Sequence, residues 1–400
     1  MASRKTIDLI KRLNGSAYPG VKEEKGIFFQ SQCLRGAMII LIFLFLLSGC
    51  TKKEIRKDPQ PREKGYPIAI FPLENLSATL APIKEMREIF IAKLMDQGFD
   101  ILSEEALEKI MERHRIRYVG GVDQTAAQAF KTEAGIKGIL LTSLEMYIDS
   151  VPPKIAMTSR LVSTGDQTTI LWMDGVGMAG DDSPGILDLG LIEDPGLLVN
   201  NALQSLSDSL ANYVWHGKLP VPFGKKERRF NPKIWYRSPE IEQKDKYTVA
   251  VIPFNNMTNR KYVGEIVLLS FLREMAKLNQ FNVLELGVVR QRLLNARVIL
   301  EGGVALTDVD LVANSLDADF VMTGKVMDYQ DFEGSEGKPI IDFSVQILER
   351  KRRRIVWDSF SHNEGDDWVF FFDWGKINTA HSLMSRMVQM IERKILEEKR

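Results

Sequence analysis

Short apolar runs alternate with amphipathic stretches along most of the chain, and each kind predicts a different element. The runs Ile68–Phe71 and Val249–Ile252 are rich in β-branched residues and are closed by a proline, which predicts buried strands. The stretches Ile83–Gln97 and Glu265–Leu278 carry apolar residues at helical spacing and predict amphipathic helices. A second strand, further helical stretches, a three-strand meander and a last amphipathic helix follow in each half. This order predicts an α/β fold in which mixed sheets are covered by helices.

The same order of elements occurs twice, at an offset that stays between 181 and 185 residues. Tyr66–Ser77 matches Tyr247–Thr258 in character at each position. The other matched pairs are Phe99–Leu102 with Phe281–Leu284, Gly120–Val122 with Gly302–Val304, Ile139–Thr142 with Val321–Gly324, and Ile170–Trp172 with Ile355–Trp357. The tryptophan of the last pair is the predicted end of each meander. Two copies with so long a period indicate a domain duplication, since a solenoid needs more and shorter units.

The duplication sets the predicted domain boundaries. The first domain spans residues 66–217 and the second spans residues 247–397. Segment 218–246 has four prolines, scattered charge and little periodicity, which predicts a linker. Its aromatic residues are unusual for a free linker, so we expect it to pack along one or both domains.

The N-terminal part carries a different signal, because an apolar run ends in Leu47-Ser48-Gly49-Cys50. An apolar residue, two small residues and a cysteine resemble a bacterial lipobox. The run is about half of the roughly 20 residues that span a bilayer, and Arg35 precedes it, as in a signal peptide. A buried core helix is the alternative, and the abrupt polar sequence from Thr51 argues against it. Residues 1–49 are therefore a predicted signal peptide, with Cys50 as the lipidated first residue of the mature protein.

The region before the apolar run is longer than usual for a secreted protein. Either translation begins near Leu34, or the region is genuinely long, and neither case alters the mature protein. Residues 50–65 hold the lipidated cysteine and a polar segment that buries too little apolar surface to order itself, which predicts a flexible tether. The tether spans at most about 50 Å when fully extended.

Cysteine content and charge then limit what the mature protein is. The two cysteines are Cys33, before the cut, and Cys50, so the mature part has no internal disulfide. The whole chain has 53 basic and 53 acidic residues, and removing residues 1–49 takes away seven and three, which leaves 46 against 50. This mild acidity disfavours nucleic acid as a partner.

Val249–Thr258, an apolar strand ending in Pro-Phe-x-Asn-x-Thr, resembles the opening of a superfamily of bacterial envelope lipoproteins and periplasmic domains. That superfamily includes the curli-secretion protein CsgG, the penicillin-binding-protein activator LpoB and the N-terminal domain of TolB. Leu316–Gly324 is similar to its helix-to-strand step, and Val345–Trp357 to its final hairpin. The resemblance covers both copies and is clearer in the second, because the first has Thr142-Ser143 where Thr-Gly is expected.

The resemblance implies a lipid-anchored periplasmic binding or scaffold protein that acts in envelope assembly, activation or secretion, and not an enzyme. Thr51 after the cysteine favours the outer membrane by analogy with enteric bacteria. The implied partners are the membrane, through the lipid, and envelope proteins, and a homo-oligomer is a further expectation. The alternative is an oligomeric subunit of a CsgG-like outer-membrane secretion channel. Segments 175–200 and 333–338 disfavour it, since they lack the long alternating hairpins of a membrane barrel.

Three features are candidates for partner binding. An asparagine just after a strand-closing Pro-Phe either shapes a turn or forms part of a functional surface. Five consecutive cations at a predicted hairpin tip either face solvent or contact anionic headgroups or an acidic partner. Five aromatic residues within 368–374 form either buried core or a docking surface. The candidate residues are Asn256, Arg350, Lys351, Arg352, Arg353, Arg354, Trp368, Phe371 and Trp374.

No motif predicts catalysis, a cofactor or a metal site. The four histidines, at positions 114, 216, 362 and 381, are far apart and lack paired-ligand spacing. The chain has no G-x-S-x-G, no P-loop and no dinucleotide-binding glycine fingerprint. We therefore expect no catalytic residue, no cofactor and no metal.

Overall fold

The computed structural model describes residues 65–116, 120–182, 190–221, 228–239, 246–297, 306–331, 337–367, 369 and 375–396. All of them belong to one compact unit, Arg62–Arg400. The predicted signal peptide, Cys50 and residues 51–64 of the tether lie outside the described residues, and so do Trp368, Phe371 and Trp374. Within the described part of the chain, no helix is both long and apolar enough to cross a membrane.

The first copy builds, within the described residues, a six-stranded sheet in the order β3-β1-β4-β5-β6, with β2 pairing with β4. Its strands are β1 (Tyr66–Ile70), β2 (Glu74–Asn75), β3 (Phe99–Ile101), β4 (Gly138–Ile148), β5 (Lys154–Ser163) and β6 (Ile170–Ala179). Its helices are α1 (Ile83–Asp96), α2 (Glu104–Arg113), α3 (Gln124–Ala134) and α4 (Pro195–His216). β1 runs parallel to β3 and β4 because helices carry the chain back between them, and β4, β5 and β6 form an antiparallel meander.

The second copy repeats this arrangement with one addition. Its sheet has the order β10-β8-β11-β12-β13-β7, with β9 pairing with β11. The strands are β7 (Ile234–Arg237), β8 (Tyr247–Val251), β9 (Asn255–Asn256), β10 (Phe281–Val283), β11 (Phe320–Gln330), β12 (Ile340–Glu349) and β13 (Arg354–Glu364). The helices are α5 (Val263–Ala276), α6 (Leu286–Asn295), α7 (Leu306–Leu316) and α8 (Ala380–Leu396). The added strand, β7, comes from the predicted linker and pairs antiparallel with β13.

Local signals explain where several elements begin and end. The Asp123 carboxylate caps α3 by accepting a hydrogen bond from the Ala126 amide at 2.8 Å, and Gly135 ends the helix with a φ of 65°. In β12, every second residue from Ile341 to Ile347 is apolar and buried, as expected for a strand with one face on the core.

Helices and sheets alternate in layers. Helices α1 and α4 pack on one face of the first sheet, around Phe90 and Trp172. On its other face, α2 and α3 cover the β1 side, and α5 and α8 of the second copy cover the β6 side, so that Met173 of β6 belongs to the core of the second copy. The second sheet lies on the far side of α5 and α8, and α6 and α7 pack on its opposite face. The predicted fold, two duplicated α/β copies with helix-covered mixed sheets, is confirmed.

One sequence-based expectation about the strands is wrong. The meanders do not end at Trp172 and Trp357, because β6 continues to Ala179 and β13 to Glu364. Glycines at 175 and 177 interrupt the apolar pattern of β6. They lie beneath α5 and α8, where an added Cβ at Gly177 would come within 2.8 Å of the Thr379 hydroxyl. The strand continues there because another layer packs closely against it.

Candidate functional site

Asn256 forms a turn at the end of β9. Its Nδ2 donates to the Arg260 carbonyl at 2.7 Å, and its Oδ1 accepts from the Thr258 amide at 2.9 Å. Asn75 makes the equivalent pair of bonds in the first copy. The amide therefore has a structural role in both copies, and its part in partner binding stays a prediction.

The same turn connects the two copies through Arg260. Its guanidinium donates to the Leu76 carbonyl and to the Glu145 carbonyl of the first copy, each at 2.7 Å. The turn that Asn256 holds thus positions a cation that bridges the copies.

The five predicted cations lie at the turn between β12 and β13, and acidic side chains surround them. Arg350 Nη1 is 2.5 Å from Asp317 Oδ1, and Arg353 Nε is 3.2 Å from Asp310 Oδ2. Arg354, the first residue of β13, has its Nε 3.5 Å from the carboxylate of Glu349. The tip is consequently a network of paired charges.

A cavity of about 360 Å³ opens beside this tip. It has both cations and carboxylates in its walls, together with the rings of Tyr247 and Phe320, whose centroids are 4.9 Å apart. The remaining lining residues are Asn314, Asp319, Glu349, Arg350, Lys351 and Arg353. Lys351 and Arg353 are exposed, and Arg350 is half-buried.

The aromatic candidates Trp368, Phe371 and Trp374 lie outside the described residues, so both the core role and the docking role stay predictions. The residues on either side of this segment are held by Arg229, which donates to the Asp367 carbonyl at 2.7 Å and to the Gly375 carbonyl at 3.3 Å.

A buried polar network joins the copies, and nothing in the sequence motifs points to it. His381 of α8 lies between two charged groups: its Nδ1 is 2.6 Å from Glu145 Oε2, and its Nε2 is 2.8 Å from Arg273 Nη1. The Arg273 guanidinium also donates to the Thr158 hydroxyl at 3.0 Å and bonds the Ser385 hydroxyl. Glu145, Arg273 and His381 are almost completely buried. The network is therefore almost completely buried between the layers.

The hydrogen bonds assign the protonation of this histidine. An arginine can only donate, so Nε2 accepts from Arg273, and Nδ1 carries the proton that is donated to Glu145. Burial lowers the pKa of His381, and the neighbouring Arg273 lowers it further, which keeps the ring neutral. Burial raises the pKa of Glu145, but the interactions with His381 and Arg273 lower it more, so this carboxyl stays ionised.

The network continues along the α5–α8 contact. The Glu274 carboxylate accepts from Gln389 at 2.8 Å, from Arg273 at 3.0 Å and from Lys277 at 3.2 Å. Burial raises the pKa of Glu392 well above its usual value, and the nearby charge of Glu274 raises it further, which favours the protonated form of this carboxyl. A groove of about 300 Å³ lies beside β6, and Lys277 and His381 are among the residues that line it.

A second buried ion pair joins Arg160 of β5 to Glu285, which follows β10. Arg160 Nε is 3.1 Å from Glu285 Oε2, its Nη2 is 3.1 Å from Glu285 Oε1, and both side chains are completely buried. The same Nη2 donates to the Gly120 carbonyl at 2.8 Å, and the Val122 amide donates to Glu285 at 3.3 Å. Backbone comes close here because Gly287 has no side chain, and a Cβ on it would overlap Val122.

These residues were missed because each copy supplies only part of the network. Glu145 and His381 are 236 positions apart, and Arg160 and Glu285 are 125 apart. One sequence signal is the charged pair Arg273-Glu274, which directly follows a largely apolar run of α5 and needs partners when it is buried. Among the described residues, no group of three or more histidine, cysteine, aspartate or glutamate side chains is placed to hold a metal ion.

The two sheets differ in what covers the same face. In the first sheet, Thr158 and Arg160 are completely buried against the second copy. The strand registers make Ser344 and Gln346 their counterparts in the second sheet, where Ser344 is half-buried and Gln346 is exposed. By strand alternation, this open sheet face is formed by Thr323, Lys325, Asp342, Ser344, Gln346, Asp358, Phe360 and His362, with Ile234 and Tyr236 of β7.

In the described part of the chain, fold and site together define an α/β protein with two duplicated sheets, a buried polar interface between the copies and an open sheet face on the second. No protein-family model and no curated protein matches the chain. One similar solved structure is the PelC dodecamer from Paraburkholderia phytofirmans, at 15% identity, with 40% of this chain and 94% of that chain covered and a TM-score of 0.26.

Two further similar structures are a lipoprotein and a domain of a protein named in the resemblance. Lipoprotein GNA1162 from Neisseria meningitidis has 17% identity, covers 36% of this chain and 99% of its own, and gives a TM-score of 0.27. The C-terminal domain of LpoB from Salmonella enterica has 16% identity, covers 36% and 96%, and gives a TM-score of 0.25. At these values the likeness says nothing about what this chain binds, and membership of the CsgG superfamily stays a prediction.

Proposed function

We propose that the mature protein is a lipid-anchored envelope protein that works through protein–protein contacts. The lipobox ending at Cys50 supports the anchor, and the outer membrane is the membrane we infer for it. The observation that carries the binding role is the open sheet face of the second copy. Its counterpart in the first copy is buried against the second copy. The open face is therefore available to bind another molecule in a similar way.

The proposed occupant of the open sheet face is a helical surface of an envelope protein. Inside the chain, the equivalent face is covered by α5, α8 and Glu285 at the start of α6, and its contacts include several polar ones. The open face has the same mixed character, since Lys325 and Gln346 are exposed beside an apolar strip formed by Ile234, Tyr236 and Phe360. Ile234 is 71% exposed and Tyr236 is 52% exposed. Large apolar side chains beside polar groups are typical of a protein-binding surface.

We also propose that the protein is not an enzyme. The constellation that most resembles catalytic machinery, Glu145–His381–Arg273, is buried at the interface between the copies. These side chains make their hydrogen bonds to one another. This arrangement suits a structural role between the copies better than a role in a chemical reaction.

Self-association is a second candidate, and the packing of the two copies favours it. The sheet of the first copy meets the helices of the second, which is a head-to-tail contact. Such a contact leaves a free sheet face at one end and a free helix layer, α1 and α4, at the other, so it can be repeated between chains. A channel subunit would use this repetition.

Site-specific photo-crosslinking in cells tests the proposal. A photoreactive residue replaces Gln346 on the open sheet face, and a matched control replaces Asp208 on the outer side of α4. We expect adducts with a different envelope protein at position 346 and not at position 208. Adducts between two differently tagged copies would favour self-association instead. Absence of any adduct at position 346 would refute the proposed surface.

The anchor is tested separately. Replacing Cys50 by serine should release the protein from the membrane fraction. Retention of the variant in the membrane fraction would contradict lipidation at Cys50.

A further inference from the structure

The hairpin tips of the two copies have diverged. In the first copy the β5–β6 tip is sealed onto α3: Gln128 Nε2 donates to the Gly165 carbonyl at 2.9 Å, and Gln124 Oε1 accepts from the Thr168 amide at 2.9 Å. The Thr164 hydroxyl adds a 2.6 Å bond to a backbone carbonyl. These hydrogen bonds hold the tip directly against the helix.

In the second copy the corresponding space is open. Asn314 of α7 lines the cavity, but its Nδ2 donates to the Asp310 carbonyl in its own helix at 2.9 Å. Larger charged residues replace the sealing ones, and the result is the cavity of about 360 Å³. That volume suits a small polar ligand.

The cavity has a carboxylate with unused hydrogen-bonding capacity. Glu349 is only 5% exposed, and within the described residues its Oε2 accepts no hydrogen bond. Its nearest cation is Arg354, with Nε at 3.5 Å. At that distance the two groups attract each other by charge but make no hydrogen bond. A buried carboxylate oxygen that accepts no hydrogen bond is unfavourable, so a ligand that brings an N–H donor would be bound there.

The lining of the cavity also has cations. Arg350 and Arg353 line it, and they pair with Asp317 and Asp310. Asp317 is 85% exposed, so its hold on Arg350 is weakened by water. Arginine presents donors that fit phosphate oxygens.

We propose that this cavity binds a zwitterionic phosphate–ammonium group. The phosphate meets Arg350 and Arg353, and the primary ammonium donates to Glu349. The proposal goes beyond the proposed function and does not depend on the open sheet face. The chemistry has two sources, a phosphatidylethanolamine headgroup and soluble phosphoethanolamine, and they are separated by the test.

Calorimetric titration of the purified protein tests the chemistry. The probes are O-phosphoethanolamine, phosphocholine, inorganic phosphate and ethanolamine. Phosphocholine has the same charges but no N–H donor, so we expect it to bind about tenfold more weakly than phosphoethanolamine. Equal binding of the two, or no binding of phosphoethanolamine, would overturn the proposal without any variant.

Variants assign the two ends of the ligand. Glu349→Gln should raise the Kd for phosphoethanolamine about tenfold and leave that for inorganic phosphate unchanged. Arg353→Gln should weaken the binding of both phosphoethanolamine and inorganic phosphate. Asp166→Asn removes an exposed carboxylate at the tip of the first copy and is the matched control, expected to bind as the unmodified protein does. An unchanged preference in a folded Glu349→Gln protein would also overturn the proposal.

Flotation with vesicles separates the two sources. Protein that floats with vesicles containing phosphatidylethanolamine, and not with pure phosphatidylcholine vesicles, has the lipid headgroup as its ligand. Protein that binds soluble phosphoethanolamine but floats with neither has the free compound as its ligand. The comparison uses the Cys50→Ser protein, so that a lipid anchor does not itself insert into the vesicles.

Discussion

Replacing Glu285 by glutamine should weaken the joint between the two copies more than a single surface change would. The carboxylate makes two 3.1 Å contacts with Arg160 and accepts from the Val122 amide at 3.3 Å. Both members of the ion pair are completely buried. Glutamine keeps the shape of the side chain and removes its charge, so the buried Arg160 cation loses the negative charge of Glu285.

The geometry gives the size of the effect. Removing one partner of a buried pair costs about 3–5 kcal/mol in free energy of unfolding, because the other charge stays desolvated. Glutamine retains one acceptor, and the Gly120 carbonyl still accepts from Arg160 at 2.8 Å, so we expect a loss of about 3 kcal/mol. The double variant Arg160→Met with Glu285→Leu removes both charges and should cost much less than the two single changes added together.

Urea unfolding followed by tryptophan fluorescence measures this loss. Trp172 and Trp357 are completely buried, one in each copy, so the signal covers both. We expect one transition, because the cores of the copies are joined, and a lower midpoint in the Glu285→Gln protein. Asp166→Asn, at the exposed tip, should leave the midpoint unchanged. A loss below about 1 kcal/mol in Glu285→Gln, or a double variant as unstable as the sum of the singles, would refute the reasoning.

Three other changes act on the same interface. Burial and Arg273 lower the pKa of His381, so its contribution to stability is complete above pH 6.5 and is lost as the pH falls from there. Between pH 7 and pH 5, the urea midpoint of the His381→Gln protein should therefore change less than that of the unmodified protein. Burial raises the pKa of Glu392, so its contribution to stability has the opposite pH dependence: it is complete below pH 4.5 and is lost as the pH rises. The Glu392→Gln protein should therefore be more stable than the unmodified protein at pH 8, and the difference should grow with pH. A Cβ at Gly175 would overlap Arg273 and His381, so Gly175→Ala should lower the free energy of unfolding by about 1–3 kcal/mol, whereas Gly196→Ala, in the exposed first turn of α4, should lower it less in the same urea assay.

Much of the fold could be predicted because its signals are local. The strand runs and helix stripes lie within windows of a few residues, and the offset between copies places each one twice. The exceptions are elements that form only because a distant part of the chain packs against them. β7 has only four residues, in a segment with linker composition, and it becomes a strand because the edge of β13 accepts its backbone hydrogen bonds.

The candidate site was predictable only in part. The five cations are at a hairpin tip as expected, but their pairing with Asp310 and Asp317 depends on how α7 packs beside that tip. The turn role of Asn256 followed from its position after Pro-Phe, whereas the Arg260 bridge from that turn to the first copy did not. The sequence of the hairpin tip and that of the Asn256 turn do not reveal which residues from other parts of the chain contact them.

By itself, the sequence determined the duplication, the α/β class and the cationic tip, and it predicts the signal that ends at Cys50. Each of these depends on residue type and on spacing along the chain. Only the tertiary structure decided that Glu145, Arg273 and His381 meet, that one sheet face is buried while its counterpart is open, and that one tip is sealed while the other holds a cavity. The physical reason is that the copies pack sheet against helices, so equivalent positions in the repeat have different neighbours.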